Sequence, residues 1–251
     1  MKNALIVIPT YNELENISRM IREIFSLYPD ANMLIIDDAS PDGTADAVKS
    51  LQTEFAGKLF IEERAGKQGL GTAYIKGFKW AIGRDYDYIF EMDADFSHPP
   101  IALQQLYNAC ATEGYDVAIG SRYVKGGQVM NWPTGRVLMS YYASIYVRMI
   151  TWMPIRDTTA GFVCYRKKVL AAIDLDKIKF TGYAFQIEMK FAAWKLGFKI
   201  KEVPIVFSDR LEGISKMSKG IFSEAATGVW KMKWKSFFES YAAGQEASSQ
   251  P

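Results

Sequence analysis

From the N-terminus to Arg122, short apolar runs alternate with stretches whose apolar residues recur at helical spacing. Ala4–Ile8 reads as a first strand, ended by Pro9. Asn12 then opens a helix, with Glu15 three residues on in the manner of a capping box. Leu14, Ile17, Ile21, Ile24 and Phe25 form the apolar face of that helix. Met33–Ile36 is a second strand ending at Asp37-Asp38. The turn Ser40-Pro41-Asp42-Gly43 leads into a helix from Thr44. Leu59–Ile61 is a third strand, the glycines at 66, 69 and 71 mark a loop, and Thr72–Ile82 is helical. Tyr88–Met92 is a strand that runs into Asp93-Ala94-Asp95. Pro99 and Pro100 open a helix to Ala111, and Tyr115–Ile119 is the last strand before Gly120-Ser121-Arg122.

The second half is less regular. Arg136 to Met153 is apolar and aromatic, with Ser140, Ser144 and Arg148 forming one narrow polar stripe. A strand is expected within Asp157–Arg166, a helix over Tyr183–Leu196 and a strand over Val203–Phe207. Trp230, Trp234, Phe237 and Tyr241 fall on one helical face, with Lys231, Lys233 and Lys235 between them, and the tail from Gly244 to Pro251 reads as disordered.

Strand–helix alternation of this kind predicts an α/β fold with a mostly parallel sheet flanked by helices. In such sheets ligands collect at the carboxyl ends of the strands. Those ends carry Pro9–Glu13, Asp37-Asp38, Asp93/Asp95 and Arg122, so polar residues cluster where the architecture places a site.

Composition narrows the field. With 251 residues and 49% hydrophobic content, the chain can bury one full core. A net charge of +2 gives no global field for nucleic acid. Cys110 and Cys164 have no zinc spacing and read as buried free thiols of a reducing compartment, and His98 is the single histidine. Val137–Met153 is interrupted by Arg148 and falls short of the roughly 18 apolar residues of a spanning helix. A soluble or peripheral protein is therefore expected. The aromatic second-half segments have the composition of interfacial helices, or of helices packed on the sheet.

Asp93 and Asp95, one residue apart at a strand end, can share a hard divalent cation and through it a diphosphate. The bland alternative is a solvated turn. Asp38 can accept hydrogen bonds from a base or ribose, while Asp42 suits capping of its own turn. Arg122, Arg210 and Lys216 offer a phosphate clamp. The glycines at 66–71 lack the ending of a P-loop and read as a turn that could lie over a nucleotide. His98 has no partner in sequence and reads as a helix start or a supporting group.

The order and spacing of Pro9-Thr10-Tyr11-Asn12-Glu13, Asp37–Thr44, Asp93–Pro99 and Gly120-Ser121-Arg122 resemble glycosyltransferase family 2. Asp157–Phe162, Gly182–Glu188, Asp209-Arg210 and Ser215-Lys216 resemble its dolichyl-phosphate mannosyltransferase branch, in the short form without a transmembrane extension. The likeness spans Ala4 to Lys219. It implies a GT-A, Rossmann-like domain over residues 1–243, with a nucleotide-sugar half (1–122) and an acceptor half (123–243). It further implies a donor seat of Pro9, Tyr11, Glu13, Ile36, Asp38, Asp93, Ala94 and Asp95, with Arg122, Arg210 and Lys216 on the phosphates. Asp93, Asp95 and Ser97 would hold Mg²⁺ or Mn²⁺, with Ser97 standing where some relatives carry glutamine. Arg122, Arg136 and Ser140 would meet the acceptor phosphate, and Asp95, Arg122, Arg210 and Lys216 would carry catalysis. The implied reaction is inverting transfer of mannose from GDP-mannose to dolichyl or polyprenyl phosphate, on the cytoplasmic face of a membrane. UDP-glucose or a UDP-hexosamine as donor, a polysaccharide acceptor, and a non-catalytic nucleotide-sugar-binding protein are the competing expectations.

Overall fold

The computed structural model describes residues 1–182, 184–209 and 220–244, with side chains in the last span from 227 onward. Arg210, Lys216, Tyr183 and the expected tail beyond Gly244 lie outside the described residues.

The strands are β1 (Ala4–Thr10), β2 (Asn32–Asp37), β3 (Leu59–Glu63), β4 (Tyr88–Glu91), β5 (Val117–Ser121), β6 (Gln128–Met130), β7 (Val163–Arg166), β8 (Ile200–Pro204) and β9 (Val206–Ser208). The helices are α1 (Leu14–Leu27), α2 (Thr44–Leu51), α3 (Leu70–Ile82), α4 (Leu103–Ala111), α5 (Thr134–Thr151), α6 (Lys167–Ala172), α7 (Ala184–Lys195) and α8 (Gly220–Lys235). Seven strands form one sheet in the order β3-β2-β1-β4-β7-β5-β8. All neighbours are parallel except β7, which runs antiparallel between β4 and β5. A second sheet pairs β6 with β9 in parallel.

Alternation along the buried strands divides the core in two. Leu5 and Val7 of β1 face a layer containing Tyr74 and Phe78 of α3, Phe185 and Met189 of α7, and Met232 of α8. Ala4, Ile6 and Ile8 face Ile17 and Ile21 of α1, Val48 of α2 and Leu106 of α4. This is the period-two rule of strands acting on a sheet covered on both faces. Helix α3 lies so close to β1 that a Cβ at Gly77 would stand 2.5 Å from Val7 Cγ1. Cys110 and Cys164 are buried free thiols, as expected.

Several local expectations need correction. Helix α1 starts at Leu14 without a side-chain cap of its own. The amides leading into it, and that of Leu14, are satisfied instead by side chains between β2 and the first residue of α2. Asn12 N–H donates to Ser40 Oγ (3.0 Å), Glu13 N–H to Thr44 Oγ1 (3.0 Å) and Leu14 N–H to Asp42 Oδ2 (3.1 Å). Leu14 is 42% exposed and lies off the apolar face. Asp42 also caps its own turn, accepting from Thr44 N–H. The late strand expected over Val203–Phe207 is two strands, β8 and β9, in different sheets.

The polar stripe of α5 breaks up. Ser144 is buried and Arg148 exposed, while Leu138, Tyr141, Tyr142, Met149 and the capping Trp152 point outward. Helix α8 ends at Lys235, and its aromatic residues part company. Trp230 and Trp234 are 60% and 70% exposed, whereas Tyr241 turns inward and its hydroxyl reaches Glu188. No helix among the described residues is long and apolar enough to cross a membrane.

Candidate active site at the carboxyl ends of the strands

Asp93 and Asp95 follow β4 at the centre of the sheet. Asp95 is buried, and its Oδ1 accepts from Ser97 N–H (3.1 Å) and Ser97 Oγ–H (2.6 Å). Asp93 Oδ1 accepts from the Tyr74 hydroxyl at 3.3 Å. The turn is further pinned by His98, whose Nδ1 accepts from Asp93 N–H at 3.2 Å. The His98 ring stacks on Phe162 and meets the edge of Phe207. Burial pushes His98 down to about 4, against the pull of Asp95, so the ring is neutral at pH 7. With Nδ1 accepting, its proton sits on Nε2. Such a ring has no lone pair left for general-base work.

Oxygen donors of this kind suit Mg²⁺ or Mn²⁺, which bind through one or two carboxylates plus substrate phosphates. Among the described residues no third acidic, cysteine or histidine group completes a protein-only cage. The donor set therefore fits a metal whose shell a diphosphate completes. Ser97 orients Asp95 through its hydroxyl proton, which leaves the oxygen lone pairs available to a cation.

Arg122 follows β5 and is buried. It grips Asp157 through Nε (2.8 Å) and Nη2 (2.6 Å), and Nη2 also reaches Thr159 Oγ1 at 2.8 Å. Burial alone would raise the Asp157 carboxyl, yet the Arg122 guanidinium holds it below the usual carboxylate range. Arg136, near the start of α5, pairs with Asp209 at 3.3 Å and lies 3.9 Å over the Trp132 ring.

These groups share one cavity of about 520 Å³. Asp93, Asp95, Ser97, His98, Arg122, Arg136 and Ser140 all line it. Met139, Tyr142 and Tyr146, all outward-facing on α5, line it as well. The strand-end carboxylates thus open directly onto the exposed apolar face of α5.

The rest of the expected donor seat lies beside this cavity. Both oxygens of Asp38 are taken in a two-pronged pair with Arg64, at 2.5 and 2.6 Å. Lys67 lies 4.8 Å over the Tyr11 ring, and Pro9 and Glu13 are partly exposed at the end of β1. The side chains of Ile36 and Ala94 are buried in the core. Any contact they make with a ligand would run through their backbone.

Sequence reasoning missed several residues here. Arg64 stands directly after β3, so the strand-end rule applied to that strand would have found it. Asp157 and Asp209 lie inside quoted motifs without an assigned role. Lys190, fully buried, donates to the carbonyls of Ala160 (2.5 Å) and Gln186 (3.0 Å) behind the cavity wall, a pairing no local pattern reveals.

A mostly parallel sheet with an acidic pair at its central strand end and helices on both faces fits the GT-A class of fold. The chain belongs to glycosyl transferase family 2, whose model matches residues 5–174. It is 45% identical over 225 residues to an undecaprenyl-phosphate mannosyltransferase of Micrococcus luteus, covering 90% of this chain and 91% of that one. It is 42% identical over 224 residues to a polyprenol monophosphomannose synthase of Mycolicibacterium smegmatis, covering 89% and 84%. Among solved structures it resembles glucosyl-3-phosphoglycerate synthase of Mycobacterium tuberculosis, crystallised with Mn²⁺, uridine diphosphate and phosphoglyceric acid. That match has a TM-score of 0.68 at 15% identity and covers 93% of this chain and 78% of that one.

Proposed function

We propose that this chain transfers mannose from GDP-mannose to a polyprenyl or dolichyl phosphate, with inversion at the anomeric carbon, at the cytoplasmic face of a membrane. The observation that carries this reading is the cavity that joins the Asp93/Asp95 end of β4 to the outward apolar residues of α5. A water-soluble donor and a lipid acceptor need such a junction. The names of the two bacterial relatives supply mannose and polyprenyl phosphate. The inversion follows from attack on the side of the sugar opposite the nucleotide.

A phosphate monoester is anionic near neutral pH. One of its oxygens attacks the anomeric carbon as the bond to the β-phosphate breaks, releasing GDP. No proton need be removed, which suits a site whose histidine is neutral with its acceptor nitrogen occupied. A bound Mg²⁺ or Mn²⁺ would neutralise charge gathering on the departing diphosphate. Arg122 and Arg136 supply fixed positive charge along the cavity, and Ser140 a hydroxyl near the acceptor end. Arg210 and Lys216, outside the described residues, complete the phosphate clamp in this reading.

Incubation with GDP-mannose, Mg²⁺ or Mn²⁺ and polyprenyl phosphate is expected to give a lipid-phosphate mannose, read by mass. UDP-glucose and a UDP-hexosamine run in parallel should give little product. Equal turnover of a UDP-sugar would overturn the donor assignment.

The membrane part is tested separately. Trp152, Trp230, Trp234, Phe237 and Phe238 are each at least 59% exposed, a concentration unusual for a water-facing surface. Each is worth roughly 1.5–3 kcal/mol if buried in lipid. Replacing Trp230 and Trp234 with serine should therefore abolish flotation with anionic liposomes and leave the unfolding midpoint nearly unchanged. Undiminished flotation would remove these residues from the interface.

A further inference from the structure

The donor seat is bounded by the loop running from Arg64 into the first turn of α3. Arg64 pairs with Asp38 and reaches Thr72 Oγ1 at 2.7 Å and the Gly69 carbonyl at 3.3 Å. Lys67 covers Tyr11, and Tyr74 meets Asp93. Three residues of the seat are thus touched by one stretch of chain.

That stretch is held from behind by residues more than a hundred positions away. Gly71 N–H donates to the Thr181 carbonyl at 2.8 Å. The approach is too close for side chains on the loop. A Cβ at Gly69 would stand 2.9 Å from Thr181 O, and one at Gly71 2.7 Å from Phe180 O. Segment 179–181 is fixed in turn by α7, where Glu188 Oε2 accepts from Lys179 N–H (2.8 Å) and Phe180 N–H (3.0 Å).

Its third support is α8. The Phe180 ring sits in a notch at Gly228, where a Cβ would stand 2.5 Å from both Cε1 and Cζ. A glycine costs helix stability in mid-helix, so its presence there needs a reason. The ring supplies one. Trp230 and Trp234 of the same helix face outward.

We propose that Phe180-Thr181, seated at Gly228, is the positioning element of the donor loop, so that the placement of α8 sets nucleotide affinity. The proposal rests on the donor reading above. It makes Phe180 and Gly228 positioning residues that act through Gly69 and Gly71 without touching substrate.

The test uses the full chain with Gly228→Ala and with Gly228→Ala combined with Phe180→Leu. Leucine lacks the two ring atoms that the new methyl would strike. Hydrogen exchange at the Gly71 amide reads the loop directly, and calorimetric titration with GDP and Mg²⁺, without acceptor or lipid, reads the seat. Gly228→Ala should lower Gly71 protection and weaken GDP binding, each by about tenfold. The double variant should recover both to within about threefold of wild type. Unchanged exchange and affinity in a folded Gly228→Ala protein would overturn the proposal. So would a loss that Phe180→Leu does not repair, since that signals general damage to α8. Failure of the wild-type protein to bind GDP would overturn the donor reading itself, and with it the claim on affinity, whatever the exchange shows.

Discussion

Asp95→Ala is expected to lower sugar transfer by about 10³-fold or more while the protein stays folded, because a carboxylate that holds the diphosphate's counter-charge acts mainly as the donor departs. The structure explains why folding should survive. Among the described residues, Ser97 in the same turn donates to Asp95 through its N–H and its hydroxyl. Their loss costs about 1–3 kcal/mol. Removing one of two neighbouring carboxylates also relieves repulsion, so the net cost should fall near the low end. Circular dichroism and urea midpoints check the fold, and turnover at saturating Mn²⁺ checks the chemistry. Near-normal transfer by the folded variant would remove the metal from this site. Ser97→Ala should be much milder, since it removes one hydroxyl bond and leaves the Asp95 carboxylate in place.

The second large effect is on stability. Asp157→Ala should destabilise the protein by about 3–5 kcal/mol, because it strands the Arg122 guanidinium in the interior. For a chain of this size the melting temperature should fall by on the order of 10 °C. Replacing both partners together, as Arg122→Met with Asp157→Leu, should cost less than the single change, because no unpaired charge remains. The double variant should nevertheless be inactive, as Arg122 lines the cavity. Should the double variant prove less stable than Asp157→Ala, the stranded-charge explanation fails. Asp157→Asn keeps a polar partner for the arginine and should lie between wild type and alanine.

These two positions also show what the chain discloses by itself. Asp93, Asp95, Asp38 and Arg122 were legible because each follows an apolar strand run, and strand ends are where a parallel sheet gathers ligands. Their partners were not legible. Arg64 reaches Asp38 across 26 positions and Asp157 reaches Arg122 across 35, and neither pairing leaves a periodic trace. The long helices α1, α3 and α7 were visible in their apolar residues. Strands β6 and β9 are three residues each, pair with one another from distant parts of the chain, and carry no alternation long enough to read. Helix α5 misleads for a different reason. Its apolar residues are numerous enough for a core helix, yet many point outward and Ser144 points in. A period reveals a face but not which way that face looks.

The start of α1 carries a consequence for how the chain assembles. The acceptors for Leu14 and the two amides before it belong to Ser40, Asp42 and Thr44, which enter only after β2 has been laid down. A peptide ending before the second strand would keep those three amides bare to water and should be a poor helix by itself. The first two strand–helix repeats should therefore be coupled in folding, and truncations or circular permutations that separate Asn12 from Ser40 should penalise both.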